Sequence, residues 1–253
     1  MAEEQKKSKY ASEVIDLPSK GKVYPKDSPL SSGKLEIKYM TAREEDILTS
    51  QNLIKKGVVI EKVIDSLILT KGVTQGDMIL GDKNAVMVAA RVLAYGPEYE
   101  CEVTNPNTGN KFNHIFDLTK CPFIELPDGY EGNSFEMILP ICKKKITFKL
   151  LTGNEESIIE KEVKSLNKVG DNISRELTTR LRHTITSVDG DTDQSTINKF
   201  VDSMLSRDSL FFRSELLRLS PDINLTQEVE LEGESVKVDI PMTVTFFWPS
   251  TKK

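Results

Sequence analysis

Long apolar runs are missing from this sequence. No stretch approaches the roughly 18–20 consecutive apolar residues that a membrane-spanning helix needs, so we expect no membrane partner. Residues 1–13, which begin MAEEQKKSKYAS, lack the apolar segment of a secretory signal and are expected to form a flexible arm. Of the 253 residues, 38% are hydrophobic and 29% are charged, a composition typical of globular proteins.

Cysteine and positive charge are also scarce. The three cysteines, Cys101, Cys121 and Cys142, lie far apart and are odd in number. This argues against a disulfide framework and favours a reducing compartment such as the cytoplasm. The formal net charge is −5, so the surface does not attract phosphate backbones through its overall charge. Nucleic acid is therefore not expected as a partner.

Recognisable catalytic motifs are absent from the sequence as well. It contains no Gly-x-Ser-x-Gly, no P-loop and no His-Glu-x-x-His, and its two histidines, His114 and His183, lie in different halves. The acidic segment 188–195 has Gly190 at a position that does not suit a calcium loop, and it lacks the closing glutamate. That segment favours a turn that caps the next helix. We predict no catalytic residue, no metal, no cofactor and no enzymatic activity.

Two segments of the chain resemble each other. Residues 15–47 and residues 124–158 both open with Ile, an acid, Leu and Pro, pass a glycine-containing turn and continue into an alternating apolar run. Both then reach a Thr-x-x-Glu capping box, which starts at Thr41 in the first segment and at Thr152 in the second. In such a box the two side chains satisfy free amides at the start of a helix. This role explains both glutamates better than a catalytic role does.

Helices and a hairpin are predicted after each capping box. Apolar residues spaced by three and four predict helices near 57–69, 82–95, 171–187, 193–205 and 208–219. Alternating apolar residues predict hairpins over 98–118 and 226–249. The shared order predicts an α+β fold made by tandem duplication, with a first repeat at 14–122 and a second at 123–253. Each repeat has strands, a capped helix, further helices and a zinc-ribbon-like β-hairpin that lacks metal ligands.

The first predicted hairpin stands where a zinc ribbon would have a metal-binding knuckle. Within YECEVTNPNTGNKFNHIFDL, the turn at 105–109 reads NPNTG where a knuckle would read Cys-Pro-x-Cys-Gly. A cluster of Cys101, His114, Cys121 and Cys142 has suitable ligand types, but it lacks the Cys-x-x-Cys pair of a structural zinc site. Asn, Pro and Gly are themselves turn residues. The stretch therefore favours a hairpin held without metal.

Three stretches carry a resemblance to a known family. IDLPSKGKVYP with LEIKYMTAREEDIL comes first, MLSRDSLFFRSELLRLSPDIN follows, and IPMTVTFFWPS comes last. In this order they resemble the T4-type baseplate hub proteins of contractile-tailed bacteriophages, a group that includes hub subunits and a hub-assembly catalyst. The resemblance covers about residues 14–249. Relatives of this kind often carry Cys-Pro-x-Cys-Gly hairpins, and this chain departs from them at both hairpins.

A partner-binding region is predicted from two of these stretches. SRDSLFFRSELLRL combines an apolar stripe with arginines, whose forked side chains bind carboxylates, so one interpretation is a helix that docks on an acidic partner. The other interpretation is a core helix whose arginines hold a neighbouring loop. The aromatic triplet that follows Thr245 either seals the second core or lies on a partner. The candidate residues are Arg207, Asp208, Arg213, Arg218, Phe246, Phe247 and Trp248.

The resemblance implies a non-enzymatic role in tail assembly. We expect a baseplate hub component or a hub-assembly chaperone that binds other hub proteins in the host cytoplasm, with the virion baseplate as a further location. Two alternatives stand beside it. One is a zinc-ribbon-like adaptor for nucleic acid or nucleoprotein, which the acidic balance and the missing ligand pairs disfavour. The other is a baseplate-associated hydrolase, which only the presence of enzymes near such hubs suggests.

Overall fold

Helices and small antiparallel sheets alternate along the chain, which confirms the predicted α+β class. The computed structural model describes residues 10–169, 174–231, 234–242 and 244–247. The helices are α1 (Ala42–Thr49), α2 (Gln51–Lys56), α3 (Val59–Leu67), α4 (Leu80–Tyr95), α5 (Gly153–Val169), α6 (Glu176–Thr184), α7 (Gln194–Ser203) and α8 (Ser206–Leu219). The strands are β1 (Ser12–Asp16), β2 (Lys34–Lys38), β3 (Glu98–Thr104), β4 (Lys111–Asp117), β5 (Phe123–Ile124), β6 (Phe135–Ile138), β7 (Lys145–Phe148), β8 (Ile185–Val188), β9 (Asp222–Ile223), β10 (Thr226–Leu231) and β11 (Glu234–Asp239).

Both predicted capping boxes are confirmed, and they begin α1 and α5. The amide of Thr41 donates to the glutamate three residues on over 2.9 Å, and the amide of Thr152 does the same over 2.8 Å. Each glutamate satisfies a backbone donor that the helix itself leaves free. A lysine three residues before each threonine, Lys38 in the first box and Lys149 in the second, forms an ion pair with that glutamate.

The strand before each box pairs with the strand that precedes it. β2 pairs with β1 and β7 pairs with β6, both antiparallel. On its other side β7 also pairs with β8, and in the first half Ile37 forms an isolated bridge with Ile68 at the corresponding place. The predicted C-terminal end of the helix near 171–187 was therefore wrong. α6 stops at Thr184, because the next four residues pair with β7 instead of continuing the helix.

The structure aligns the first strands of the two halves differently from the sequence. β1 and β6 each run directly into a Leu-Pro pair, which ends at Pro18 in the first half and at Pro140 in the second. The similarity seen in the sequence had instead matched Pro18 with Pro127. Pro127 follows β5, and β5 pairs with the distant β9 instead of with the strand before the capping box. The common order is strand, Leu-Pro, returning strand and capped helix.

Both predicted closing hairpins are present, as β3–β4 and β10–β11. The second was predicted over 226–249 and was wrong at its C-terminal end, because its paired strands end at Asp239 and Val244–Phe247 form a 3-10 helix. In the first hairpin the Asn105 side chain accepts the Asn107 amide over 2.8 Å, and Gly109 takes a φ of +74° that side chains with a Cβ rarely adopt. Turn chemistry of this kind reverses the chain without metal. The turn of the second hairpin, at 232–233, lies outside the described residues.

Buried side chains of both halves form one continuous core. The long helix α4 lies inside it and buries residues on most of its surface, among them Val86 and Ala90. The Phe148 and Phe212 rings meet edge to face at 5.1 Å between centroids in the second half. The boundaries proposed for the two repeats, 14–122 and 123–253, stay a prediction.

Candidate partner-binding site

Helix α8 is fixed to the core by a carboxylate in its first turn. Asp208, the third helical residue, is fully buried and accepts the amides of Ile141 over 2.8 Å and of Cys142 over 3.0 Å. Burial by itself would raise the pKa of Asp208, but the two amides stabilise the charged form and hold the pKa below its ordinary value. Asp208 was predicted to meet a partner, whereas its described contacts lie within the chain.

The same helix leaves apolar side chains on its outer face. Phe212 and Leu219 point into the core and are buried. Leu210 is 58% exposed and Leu217 is 76% exposed, and the neighbouring Phe211 is exposed as well. The sequence predicted one broad apolar stripe on α8. The structure divides these residues between the core and solvent.

The three predicted arginines all lie on the exposed side of α8. Arg218 forms an ion pair with Glu215 over 2.8 Å. Among the described residues, neither Arg207 nor Arg213 has an ion-pair partner, and the Arg213 Nε donates only to the Ser209 carbonyl over 3.4 Å. Two guanidinium groups on this face are thus free to bind a carboxylate from another molecule.

A groove of about 290 Å³ lies between α8, α6 and the start of α4. Most of its surface comes from apolar side chains, and its lining includes Leu80, Leu177, Arg180, Arg213, Leu216 and Leu217. Sequence reasoning missed Leu80 and Leu177. Each is a leucine in the first turn of its helix, and the neighbouring sequence does not indicate that either lines a groove. Only the packing of three helices brings the two leucines together.

The predicted aromatic triplet is buried where the structure describes it. Phe246 and Phe247 are almost completely inaccessible, and the Phe246 ring meets Tyr99 edge to face at 4.9 Å between centroids. The Arg91 Nε also donates to the Phe246 carbonyl over 3.0 Å. The triplet was interpreted either as a seal of the second core or as a surface that lies on a partner. The contacts of Phe246 and Phe247 agree with the core interpretation. Trp248 lies outside the described residues.

The four residues weighed as metal ligands have other surroundings. Cys101 lies opposite His114 across the β3–β4 hairpin, while the Cys121 sulfur accepts the Gln227 side chain over 3.4 Å. Burial raises the pKa of the Cys101 thiol to about 11, which disfavours the thiolate that a metal needs. Among the described residues, no group of three or more His, Cys, Asp or Glu side chains is placed to hold a metal ion.

The acidic segment 188–195 forms the predicted turn before a helix. Asp189 accepts the Lys145 amide over 2.9 Å, and Asp193 caps α7 by accepting the Ser195 amide over 3.1 Å. These carboxylates satisfy backbone donors. The prediction of a capping turn is confirmed.

The outer face of α8 thus combines two exposed leucines with two arginines that have no ion-pair partner among the described residues. The family model described as T4 bacteriophage base plate protein matches residues 9–248, nearly the whole chain. The chain therefore belongs to this family, which confirms the resemblance to T4-type baseplate proteins. Comparisons with curated proteins and with solved structures give no match. None of the described helices has both the length and the apolarity to cross a membrane.

Proposed function

We propose that the protein is a non-enzymatic component of the baseplate hub, or a chaperone of hub assembly, that binds other hub proteins in the host cytoplasm. Family membership supports a baseplate role and contacts with other phage proteins. The observation that carries the proposal is the outer face of α8, where Arg207 and Arg213 lack an ion-pair partner among the described residues.

The physical reason is the chemistry of this face. We call Arg207, Arg213 and Arg218 the arginine edge. Guanidinium groups bind carboxylates in a forked geometry and are enriched at protein interfaces. Exposed leucines beside them add apolar surface that gains free energy when a partner removes it from water. Because Asp208 and Phe212 hold α8 rigidly on the core, this face is prepared for binding without prior ordering.

Co-expression with the other hub proteins of the same phage tests the proposal. We expect the wild-type chain to co-purify with at least one hub protein. The double variant Arg207→Glu/Arg218→Glu should lower the recovered complex by about tenfold or more, because charge reversal at a complementary interface repels the partner. The matched control is Lys55→Glu/Lys56→Glu, which makes the same charge change at two exposed lysines of α2.

Two results would count against the proposal. One is a wild-type chain that stays separate while the remaining hub proteins assemble normally without it. The other is an equal loss in the control variant, which would mean that overall charge and not the arginine edge governs binding.

Mass spectrometry of assembly intermediates and of mature particles distinguishes the role of a hub subunit from that of a chaperone. A hub subunit is expected in both. A chaperone is expected in intermediates only, because it leaves once the hub is complete.

A further inference from the structure

Helices α4 and α8 hold equivalent places in the two halves. Each follows the capped helix of its half and precedes the closing hairpin, and each has a buried aspartate as its third residue. Asp82 of α4 accepts the amide of Ser19, and Asp208 of α8 accepts the amide of Ile141. Ser19 and Ile141 both directly follow the proline of a Leu-Pro pair. The two helices are therefore compared residue by residue from these aspartates.

One stripe of α4 is covered by segments that follow α8. It consists of Asn84, Met87 and Arg91, which share a face because they are spaced by three and four. The Asn84 side chain donates to the Asp222 carboxylate over 3.0 Å, and Arg91 donates to the Phe246 carbonyl over 3.0 Å. Met87 between them is buried.

The equivalent stripe of α8 is open. Counted from Asp208, the counterparts of the three residues are Leu210, Arg213 and Leu217, and all three are exposed. We call them the open stripe. In an array of similar units, an outermost face is normally polar. Here it carries two leucines, and it borders the apolar groove between α8, α6 and Leu80.

We propose that the open stripe and this groove bind an extended segment of another baseplate protein, in which an acidic residue stands next to an aliphatic one. The inference rests on the proposed function and names the partner chemistry. Its precedent lies within the chain. Asp222 and Ile223 form the extended strand β9 against α4, where the carboxylate meets Asn84 and Ile223 is buried.

Charge supports an acidic segment at α8. Arg213 lines the groove and, among the described residues, has no ion-pair partner. The two acids at the groove are already engaged, since Glu156 pairs with Arg180 over 2.6 Å and Asp222 accepts from Asn84. An incoming carboxylate therefore meets a guanidinium group that has no carboxylate partner among the described residues, and its aliphatic neighbour meets the leucine walls. The groove volume of about 290 Å³ lies just below the range of about 300–1,000 Å³ that is usual for small-molecule sites, so the groove is large enough to receive side chains of a bound segment.

The test uses the full chain co-expressed with the other hub proteins. Leu217→Asp and Arg213→Glu are each expected to reduce co-purification of a hub protein by about tenfold or more, because a buried central contact dominates such an interface. Ile138→Asp, which also adds a charge at an exposed aliphatic residue of β6, is the matched control and should retain binding within about twofold. Thermal unfolding of all three variants checks that they fold.

A photo-crosslinking residue placed at position 217 identifies the bound segment. We expect a cross-linked peptide from a baseplate protein with Asp or Glu beside Leu, Ile or Val. Exchange of that acid for lysine should abolish binding to the wild-type chain and restore it to the Arg213→Glu variant.

The possible failures are distinguishable. If Arg207→Glu/Arg218→Glu abolishes co-purification while Leu217→Asp and Arg213→Glu retain it, the inference is wrong and the proposed function stands. If the wild-type chain binds no hub protein and yields no cross-link, both are wrong. A cross-link to a second copy of the chain, or to a segment without an acid, overturns the inference in favour of self-association or of purely apolar binding.

Discussion

Asp82 and Asp208 are structural equivalents, since each is the third residue of the helix that precedes the closing hairpin of its half, α4 or α8, and each fixes the loop after a Leu-Pro pair. The bond from the Ser19 amide to Asp82 measures 2.9 Å, and that from the Ile141 amide to Asp208 measures 2.8 Å. Both carboxylates are buried, but their partners differ. Asp82 also accepts the hydroxyls of Ser19 and Tyr24, whereas Asp208 accepts a second amide.

These surroundings shift the two pKa values in opposite directions. Burial raises the pKa of Asp82 above its ordinary value of 3.8, although hydrogen bonds from Ser19 and Tyr24 oppose the shift. For Asp208 burial is outweighed by the amides, and the pKa lies below the same ordinary value. The folded protein thus holds the Asp82 proton more tightly than the unfolded chain does, and the Asp208 proton less tightly.

The pH dependence of stability should therefore differ in sign between the two aspartates. For Asp82, stability is lost as pH rises from its ordinary pKa through the raised folded pKa. For Asp208, stability is lost as pH falls from its ordinary pKa through the lowered one. Asp208→Asn should cost more free energy of unfolding at about pH 7 than at about pH 3, and Asp82→Asn more at about pH 3 than at about pH 7.

Urea unfolding of the two variants and of wild type at both pH values checks this prediction. Asp46→Asn on α1, an exposed aspartate, is the control and should change stability by less than about 0.5 kcal/mol. If both variants lost more stability at the same pH, the opposite pKa shifts that we infer for Asp82 and Asp208 would be contradicted.

The two lysine–glutamate pairs offer a second matched comparison. The pair of Lys38 and Glu44 is buried, with side-chain exposures of 7% and 0%, whereas Lys149 and Glu155 are partly exposed. Lys38→Met should destabilise the protein by about 3 kcal/mol, because it leaves a buried carboxylate without its cation. Lys149→Met should cost about 1 kcal/mol or less, since water screens that pair. Chemical denaturation measures both. Equal losses would mean that burial does not set the strength of the pair.

Gly81 should reject alanine although it lies in a helix. Alanine normally stabilises a helix by about 1 kcal/mol relative to glycine. A Cβ at Gly81 would stand 1.8 Å from the Pro221 carbonyl oxygen and 2.7 Å from the Asp222 Cα. We therefore expect Gly81→Ala to lower the free energy of unfolding by about 1–3 kcal/mol, as overpacking does. A thermal melt decides the sign, and a higher melting temperature would show that α4 and β9 do not touch as described.

Metal removal should leave the protein unchanged. The turn at Asn105 is held by hydrogen bonds and by Gly109, and the described residues contain no metal-binding group. Elemental analysis of purified protein should find zinc far below one ion per chain, and a chelator should not shift the melting temperature. One zinc ion per chain would revive the zinc-ribbon adaptor.

Local patterns predicted many of the elements. The Thr41 and Thr152 capping boxes, the two hairpins and the amphipathic α8 follow from residues close in sequence, so the pattern alone was sufficient. The end of α6 was mispredicted because residues 185–188 are recruited by β7, a partner far away in sequence. The alignment of the halves at Pro127 failed for the same reason, since β5 pairs with β9.

The structure describes the exposure of the predicted partner-binding residues, and their role in binding stays a prediction. Arg207, Arg213 and Arg218 lie on the exposed face of α8, as a docking helix requires. Asp208 and Phe246 are of residue types that suit an interface, but they are buried, and sequence does not report burial.

By itself, the sequence determined the α+β class, the capped helices and the first hairpin, because these depend on periodicity and turn chemistry within short segments. The baseplate resemblance came from three stretches of the sequence that match the family. Only the tertiary structure decided which residues of α8 face the core and which face solvent, and that Leu80, Leu177 and Leu217 share one groove. The exposure of a side chain, and the meeting of side chains from different helices, depend on how segments distant in sequence pack together. Helices α4 and α8 hold equivalent positions, but their surroundings differ because later segments cover only the α4 stripe.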